Sequence, residues 1–72
     1  MNITLYLLTS MTYKISDYPF RESIGLFLSI SSANKAKEAN LKYGYYNYEI
    51  IPIEVTKKEY NDKKRLICYK YE

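Results

Sequence analysis

Tyrosine is the residue type whose number and spacing stand out in this chain of 72 residues. Ten residues are tyrosine, histidine and tryptophan are absent, and four tyrosines fall within six consecutive positions, at Tyr43, Tyr45, Tyr46 and Tyr48. A tyrosine has a flat apolar ring and a hydroxyl group that needs a partner, so tyrosines collect where a surface is dry on one side and wet on the other. The cluster therefore favours a binding surface over a catalytic centre.

Two interpretations of the tyrosine cluster remain open. The rings could be structural, with Tyr43 closing the apolar stripe of a helix and the others filling the rim of a sheet or a dimer contact. They could instead form a platform for nucleic-acid bases, each stack being worth about 1–3 kcal/mol.

Basic side chains in the sequence could supply contacts to phosphate groups beside such a platform. Lys42 adjoins the cluster, and a basic segment follows it, although such a segment is equally typical of a solvated turn. Arg21 could bind a phosphate or carboxylate through two hydrogen bonds, or it could form a surface salt bridge with Glu22 or another acid. The candidate ligand-binding residues are Arg21, Lys42, Tyr43, Tyr45, Tyr46, Tyr48, Lys57, Lys58, Lys64 and Arg65.

The residue types that usually carry catalysis are scarce. Histidine, the commonest acid–base residue, is absent. Cys68 is the single cysteine, and its place in an apolar row indicates a buried, inert thiol. Glu49 and Glu54 lie five positions apart on a predicted strand, so they face opposite sides and make a poor acid–base pair. We expect a protein that is not an enzyme and that holds no cofactor and no metal.

Length and charge set further expectations. A chain of 72 residues predicts one domain, 1–72, and a domain this small buries only about 60% of its unfolded surface, so oligomerisation is a natural source of extra stability. The net charge of +3 favours anionic partners without identifying nucleic acid. No stretch approaches the roughly 20 apolar residues that span a bilayer, and an unpaired cysteine suits a reducing compartment. We expect a cytoplasmic protein that does not bind membranes.

The apolar periodicity predicts where the elements lie. Alternation indicates strands at 3–8, 24–30 and 48–56, with a loop over 9–23. Gly25 suggests a bulge or the close approach of a neighbour, and Pro52 suggests an edge strand or a bulge. A helix is predicted over 32–43, capped by Ser31 and Ser32, with Ala33, Ala36, Ala39 and Tyr43 on its inner face. The polar segment 57–64 is predicted to be a turn, and 65–71 a last strand.

These elements predict an α+β fold of the order β-β-α-β-β. About four strands would form a small antiparallel or mixed sheet, with the single helix on one face. One helix covers one face only, so an apolar row opposite it would need another cover. That row is expected to contain Tyr6, Leu8, Phe27 and Ile50. We therefore expect a homo-oligomer, most simply a dimer about a two-fold axis.

Three motifs carry a resemblance to a known group of proteins. They are Ile24-Gly25-Leu26-Phe27, then Ser31-Ser32 followed by Lys35-Ala36-x-x-Ala39, and later the strand from Tyr48 to Val55. Together with the opening strand Tyr6-Leu7-Leu8, this pattern resembles small uncharacterised proteins of bacteria and their phages. The match covers most of residues 3–56. It implies the fold, supplies no catalytic residues, and implies by analogy a phage counter-defence role in the host cytoplasm.

Two functions follow as expectations from the residues and the resemblance. The first is a non-catalytic binding protein that sequesters a nucleotide-like immune signal or nucleic acid through tyrosine and Lys or Arg side chains. The alternative is a protein–protein inhibitor that docks a tyrosine-rich surface or a sheet edge on a host defence enzyme, since tyrosine and arginine also suit the cores of interfaces. A structural module without a ligand is the third reading of the same composition.

Overall fold

Three antiparallel strands and two short helices form the protein in a computed structural model that describes residues 2–12, 20–41 and 46–72. The fold is therefore α+β, as predicted, but the predicted four strands and single helix are not confirmed. In chain order the elements are β1 (Asn2–Thr12), β2 (Phe20–Phe27), α1 (Ile30–Asn40), β3 (Tyr46–Thr56) and α2 (Lys57–Lys63), followed by a short 3₁₀ helix at Lys64–Leu66.

The sheet has the order β2-β1-β3, and both pairs of strands are antiparallel. The first strand lies in the centre because it is apolar on both faces, and Leu5 and Leu8, which point to opposite sides, are both fully buried. The strand that contains Pro52 lies at an edge, as predicted, because proline has no N–H to donate to a second neighbour.

Gly25 shows both of the features that the sequence predicted for it. Leu8 pairs with Gly25, but the next pair is Thr9 with Ser23, so one extra residue bulges from β2 at this point. A Cβ atom on Gly25 would lie only 2.9 Å from Cζ of Phe27. The phenylalanine ring therefore folds over a position that has no side chain of its own.

Helix α1 covers the sheet face that the sequence led us to expect would lie bare. Leu8 and Phe27 form a buried cluster with Ala33 and Ala36 of the helix. The residues that were expected on the uncovered face are therefore the ones that the helix packs against. The expectation that this row needs a second copy of the protein as its cover is wrong. Partly buried side chains border this α1-face cluster: Tyr6, Ile24, Tyr48, Ile50, Cys68 and Tyr71.

The other face of the sheet has a cover that the sequence analysis missed. Leu5 and Val55 pack there with Ile67 from the C-terminal segment, and Tyr60 of α2 borders this second cluster. The segment predicted as a turn is thus a helix. It forms because the Thr56 hydroxyl accepts from the N–H of Glu59 at 3.2 Å, while a carboxylate oxygen of Glu59 accepts from the N–H of Thr56 at 3.0 Å.

The last predicted strand, 65–71, is reduced to a single point of pairing. Ile67 forms one parallel bridge with Leu26, and the N–H of Cys68 donates to the carbonyl oxygen of Leu26 at 2.8 Å. The 3₁₀ helix directly before it and a turn at its end leave no length for a ladder. The predicted alternation survives in part, since Ile67 packs with one cluster and Cys68 with the other.

The bounds of the first helix differ from those predicted over 32–43. The helix begins three residues after the sheet, and its N-cap is Ser29, whose hydroxyl accepts from the N–H of Ser32 at 3.1 Å. Ser31 is exposed, and so is Ala39 at the end of the predicted alanine row. The strands also extend into the predicted loop 9–23, as far as Thr12 on one side and Phe20 on the other. Residues 13–19 and Gly44 lie outside the described residues.

Candidate functional site

The predicted ligand-binding residues fall into two separate groups. Arg21, Tyr46 and Tyr48 lie at one end of the sheet. Lys57, Lys58, Lys64 and Arg65 follow the other end of β3, on α2 and the 3₁₀ helix. Tyr46 is the first residue of β3 and Lys57 directly follows its last, so eleven steps along an extended strand separate them, which is roughly 36 Å. Lys42, Tyr43 and Tyr45 lie outside the described residues.

Arg21 is held by neighbours within the sheet. Its Nη1 donates to Oγ1 of Thr9 at 2.8 Å and to the carbonyl oxygen of Asn47 at 3.4 Å, and it lies 3.7 Å from Oε2 of Glu49. The predicted alternative of a salt bridge is therefore present, with Glu49 rather than Glu22. Both partners are partly exposed to solvent, so the pair contributes at most about 1 kcal/mol. Glu49 offsets part of the positive charge of Arg21 near Tyr46 and Tyr48, the two described tyrosines of the cluster.

The two described tyrosines of the cluster have different surroundings. Tyr48 is half-buried and packs against the α1-face cluster, which favours the structural interpretation for this residue. Tyr46 pairs with Met11 and is 37% exposed. Between them Asn47 has a φ of 54°, in the left-handed region, where the register of β3 against β1 shifts. This bulge directs the two rings into different environments, so they do not form one stacking face.

The two glutamates of β3 face opposite sides of the sheet, as predicted from their spacing. Glu49 pairs with Thr9 and Glu54 with Thr4, and the register between these pairs is regular. Because side chains alternate along a strand, residues five apart cannot share a face. The carboxylates therefore do not form a pair that could act together on a substrate.

A surface at the α2 end of the molecule carries the net charge of the chain, and we call residues 57–65 the basic pole. This segment contains Lys57, Lys58, Lys63, Lys64 and Arg65 against Glu59 and Asp62, a net charge of +3. The rest of the chain has six basic and six acidic residues, which cancel. All nine residues of the basic pole are exposed except Tyr60, which is half-buried.

The basic pole is fixed to the sheet at two points. At its start, hydrogen bonds with Thr56 lower the pKa of the Glu59 carboxyl below its ordinary value, and Lys63 adds to this effect. In the middle, Tyr60 packs its ring against the cluster formed by Leu5 and Val55, and the Nζ of Lys64 lies 5.9 Å from the centre of that ring. The lysines therefore extend from an anchored helix rather than from a loose turn.

Two exposed side chains beside the basic pole were not among the predicted site residues. Leu66 is 62% exposed and Tyr69 is 49% exposed. The hydroxyl of Tyr69 donates to the carbonyl oxygen of Lys64 at 3.5 Å, which places this ring next to the lysines. Partial burial raises the pKa of the Tyr69 hydroxyl, and the nearby Tyr60 and Glu72 raise it further. The prediction of a strand over 65–71 gave no reason to expect that Leu66 and Tyr69 are exposed. A running sum of charge along the sequence would have indicated the basic pole beside them.

Among the described residues, no group of three or more histidine, cysteine or carboxylate side chains lies close enough to hold a metal ion. Cys68 is half-buried and borders the α1-face cluster. None of the helices in the described ranges is long and apolar enough to cross a membrane.

Comparisons of the chain with models of protein families, with curated proteins and with solved structures gave no match. The resemblance to small bacterial and phage proteins thus stays a prediction that rests on its three motifs and on the opening strand.

Proposed function

We propose that this protein is a non-catalytic binding protein whose basic pole binds the phosphate groups of a nucleic acid. The observation that carries the proposal is the concentration of the whole net charge, +3, within nine consecutive residues. The lysine and arginine side chains of this segment are all exposed. The rest of the chain has no net charge, so on average it does not offset the charge of this segment. An anionic partner would therefore be attracted to one end of the molecule.

The physical basis is the electrostatic attraction between clustered cations and a polyanion. Each phosphate that a lysine or arginine neutralises releases condensed counterions, which makes binding favourable and dependent on salt. Exposed cations keep their hydration and flexibility, so they contact a phosphate backbone without a preformed cavity. The first expected function combined tyrosine with Lys or Arg side chains at one site. This proposal differs from it because the lysine and arginine side chains of the basic pole do not share a surface with Tyr46 and Tyr48.

The test compares two double variants that remove the same charge from different places. Lys63→Gln with Lys64→Gln removes two cations from the basic pole, while Lys35→Gln with Lys37→Gln removes two from α1. Fluorescence anisotropy with a labelled oligothymidine strand at low salt should show at least a tenfold loss of affinity for the first variant and a change below about threefold for the second. Equal losses would refute a localised site, and no binding by the wild type would refute the function.

A counter-defence role in a phage-infected host is the further proposal that the resemblance supports. It would have the basic pole bind a nucleotide-like immune signal or a nucleic acid in the host cytoplasm. Mass spectrometry of the intact protein, purified from a host with active defence, should show a nucleotide that the Lys63→Gln, Lys64→Gln variant lacks. Recovery of the same nucleotide with both proteins would place its binding elsewhere.

A second candidate function, binding to a protein partner, is favoured by the free edge of β3. Among the described strands, β3 pairs only with β1, and Ile51 on it is 38% exposed. An added strand could pair with the backbone groups in the middle of β3 that face away from β1, with an interruption at Pro52. We assign this edge to a second copy of the chain. In an antiparallel pair of β3 strands about a two-fold axis, directly opposed residues lie on the same face of the sheet. Glu49 and Glu54 lie on opposite faces, so such a dimer would not place Glu49 of one copy opposite Glu54 of the other.

Sedimentation over a range of concentrations tests this second candidate. A dimer whose β3 amides exchange with solvent more slowly as concentration rises would support it. A protein that stays monomeric at micromolar concentration would contradict it, and slowed exchange that appears only after adding a host enzyme would assign the edge to that enzyme instead.

A further inference from the structure

We infer that the basic pole binds single-stranded rather than double-stranded nucleic acid, with the ring of Tyr69 as the surface on which a base stacks. This inference rests on the proposed function and names the class of nucleic acid at the same surface. It depends on a residue outside the tyrosine cluster, in the segment that follows the basic pole.

The first observation is the exposure of the ring. Tyr69 is 49% exposed, whereas Tyr60 and Tyr71 are half-buried and pack against the two core clusters. About half of the surface of this residue is open to solvent, so a planar ligand can reach the ring. Stacking on an aromatic ring accepts any base, because every base has a π-face of its own.

The second observation is that this ring is oriented by the basic pole itself. The Tyr69 hydroxyl donates to the carbonyl oxygen of Lys64, and it also interacts with the side chain of Tyr60. Tyr60 in turn packs on the core and lies beneath the Nζ of Lys64. A side chain held at its hydroxyl end loses less conformational freedom when a ligand binds, so the bound geometry is partly prepared in advance.

The third observation is the pairing of an aromatic ring with cations, which matches the repeat of a single strand. Each nucleotide presents one phosphate and one base, and an unpaired strand can turn the base outward while its phosphate meets a lysine. In a duplex the faces of the bases are covered by their neighbours, so Tyr69 would contribute nothing and only the charge would act. Leu66, 62% exposed and three residues before Tyr69, adds apolar surface that suits a base better than a phosphate.

The experiment measures affinity for an oligothymidine strand and for its duplex with oligoadenine, using three proteins. Tyr69→Leu removes the aromatic ring but keeps apolar bulk, and Tyr69→Phe keeps the ring but removes the hydroxyl. We expect Tyr69→Leu to bind the single strand roughly 5- to 100-fold more weakly and the duplex unchanged. Tyr69→Phe should lie within about threefold of the wild type for both ligands, since it keeps the stacking ring and loses only the long hydrogen bond to Lys64 that helps to orient it.

A photocrosslink provides a readout that does not depend on how a variant folds. The wild-type protein is irradiated with a strand that contains iododeoxyuridine, and the linked residue is identified by mass spectrometry. Tyr69 is the expected site. Crosslinks confined to other residues, or equal affinity of Tyr69→Leu and wild type for the single strand, would overturn the inference while leaving the proposed function intact. Failure of the wild type to bind either ligand would instead defeat the proposed function.

Discussion

Gly25 shows at the scale of one residue how a missing side chain determines the packing of a face. The bulge beside it shifts the register of β2, and the ring of Phe27 occupies the space above it. A glycine in a strand usually weakens that strand, because it adds no contacts and loses much backbone freedom on folding. Here the space that it leaves is filled by the largest buried side chain of the core.

Replacing Gly25 with alanine should therefore destabilise the protein. The new Cβ would lie 2.9 Å from Phe27, whose ring is buried and must move. We expect a loss of about 1–3 kcal/mol in the free energy of unfolding, measured by urea denaturation, despite the usual gain from a Gly→Ala change.

Two comparisons isolate the clash at this position. Ser23→Ala, at an exposed position of the same strand, should change stability by less than about 0.5 kcal/mol. In a Phe27→Leu background the ring is absent, so the additional loss from Gly25→Ala should shrink. An undiminished loss in that background would show that the clash is not its cause.

At the scale of elements, the caps of the two helices are both determined by side chains that the sequence displays. The first has its N-cap at Ser29, whereas the sequence predicted a cap at Ser31 and Ser32. The choice is made by the end of β2, because the chain leaves the sheet at Leu28 and an N-cap needs the extended backbone found at Ser29. Tertiary structure, rather than serine propensity, selects among equivalent caps.

Removing the hydroxyl at Ser29 should weaken α1, while removing the one at Ser31 should not. Ser29→Ala leaves the N–H of Ser32 without its acceptor, at a position where Ser32 is buried. We expect a loss of about 1 kcal/mol in thermal or urea unfolding for Ser29→Ala. The matched variant Ser31→Ala, at an exposed position, should stay within about 0.5 kcal/mol of the wild type. The reverse order would contradict the assigned cap.

Much of the missed second helix was available from the sequence, whereas its packing was not. Thr56 and Glu59 have the spacing of a capping box, but the polar run after them lacks an apolar stripe and so favoured a turn. The only residue of α2 that touches the core is Tyr60. A single apolar residue gives no helical periodicity in the sequence. Without knowledge of the sheet that Tyr60 packs on, the segment cannot be distinguished from a turn.

The capping box predicts a pH dependence of stability at Glu59. Its carboxyl has a pKa lowered from 4.5, chiefly by the hydrogen bonds with Thr56, so the ionised form stabilises the folded state. This contribution is fully present above pH 4.5 and is lost as the pH falls through the lower, folded-state pKa. The difference in unfolding free energy between wild type and Glu59→Gln should therefore shrink on acidification below that pH.

A variant of the partner residue tests whether the capping box causes that dependence. Thr56→Ala removes the hydroxyl but keeps the backbone N–H that donates to the Glu59 carboxylate, which is the larger cause of the lowered pKa, so in that background exchanging Glu59 for glutamine should still produce a dependence on pH, only somewhat smaller. Urea denaturation at a series of pH values measures both pairs. An equal dependence with and without the Thr56 hydroxyl would show that the hydroxyl takes no part in it and would assign the effect to the backbone N–H of Thr56 and to Lys63; loss of the whole dependence in the Thr56→Ala background would contradict the leading role of that N–H.

At the scale of the whole molecule, the protein is a neutral body with a charged end. The first three strands and the first helix followed from the apolar pattern, and the edge position of β3 followed from Pro52, whereas the central position of β1 and the helix in place of a last turn were not predicted. The division of the predicted site did not, because sequence proximity placed tyrosines and lysines in one list while an extended strand of eleven residues separates them in space. Each residue of an extended strand adds roughly 3.3 Å, so residues at the two ends of a strand lie far apart in space.

The dependence of affinity on salt tests the central claim most directly. For wild type and the two lysine double variants, the logarithm of the association constant for an oligothymidine strand is measured against the logarithm of salt concentration. Each phosphate neutralised contributes a slope of about −0.7, so Lys63→Gln with Lys64→Gln should reduce the magnitude of the slope by about 1.4, and Lys35→Gln with Lys37→Gln should leave it unchanged. Identical slopes for the two double variants would contradict a function that resides in the basic pole.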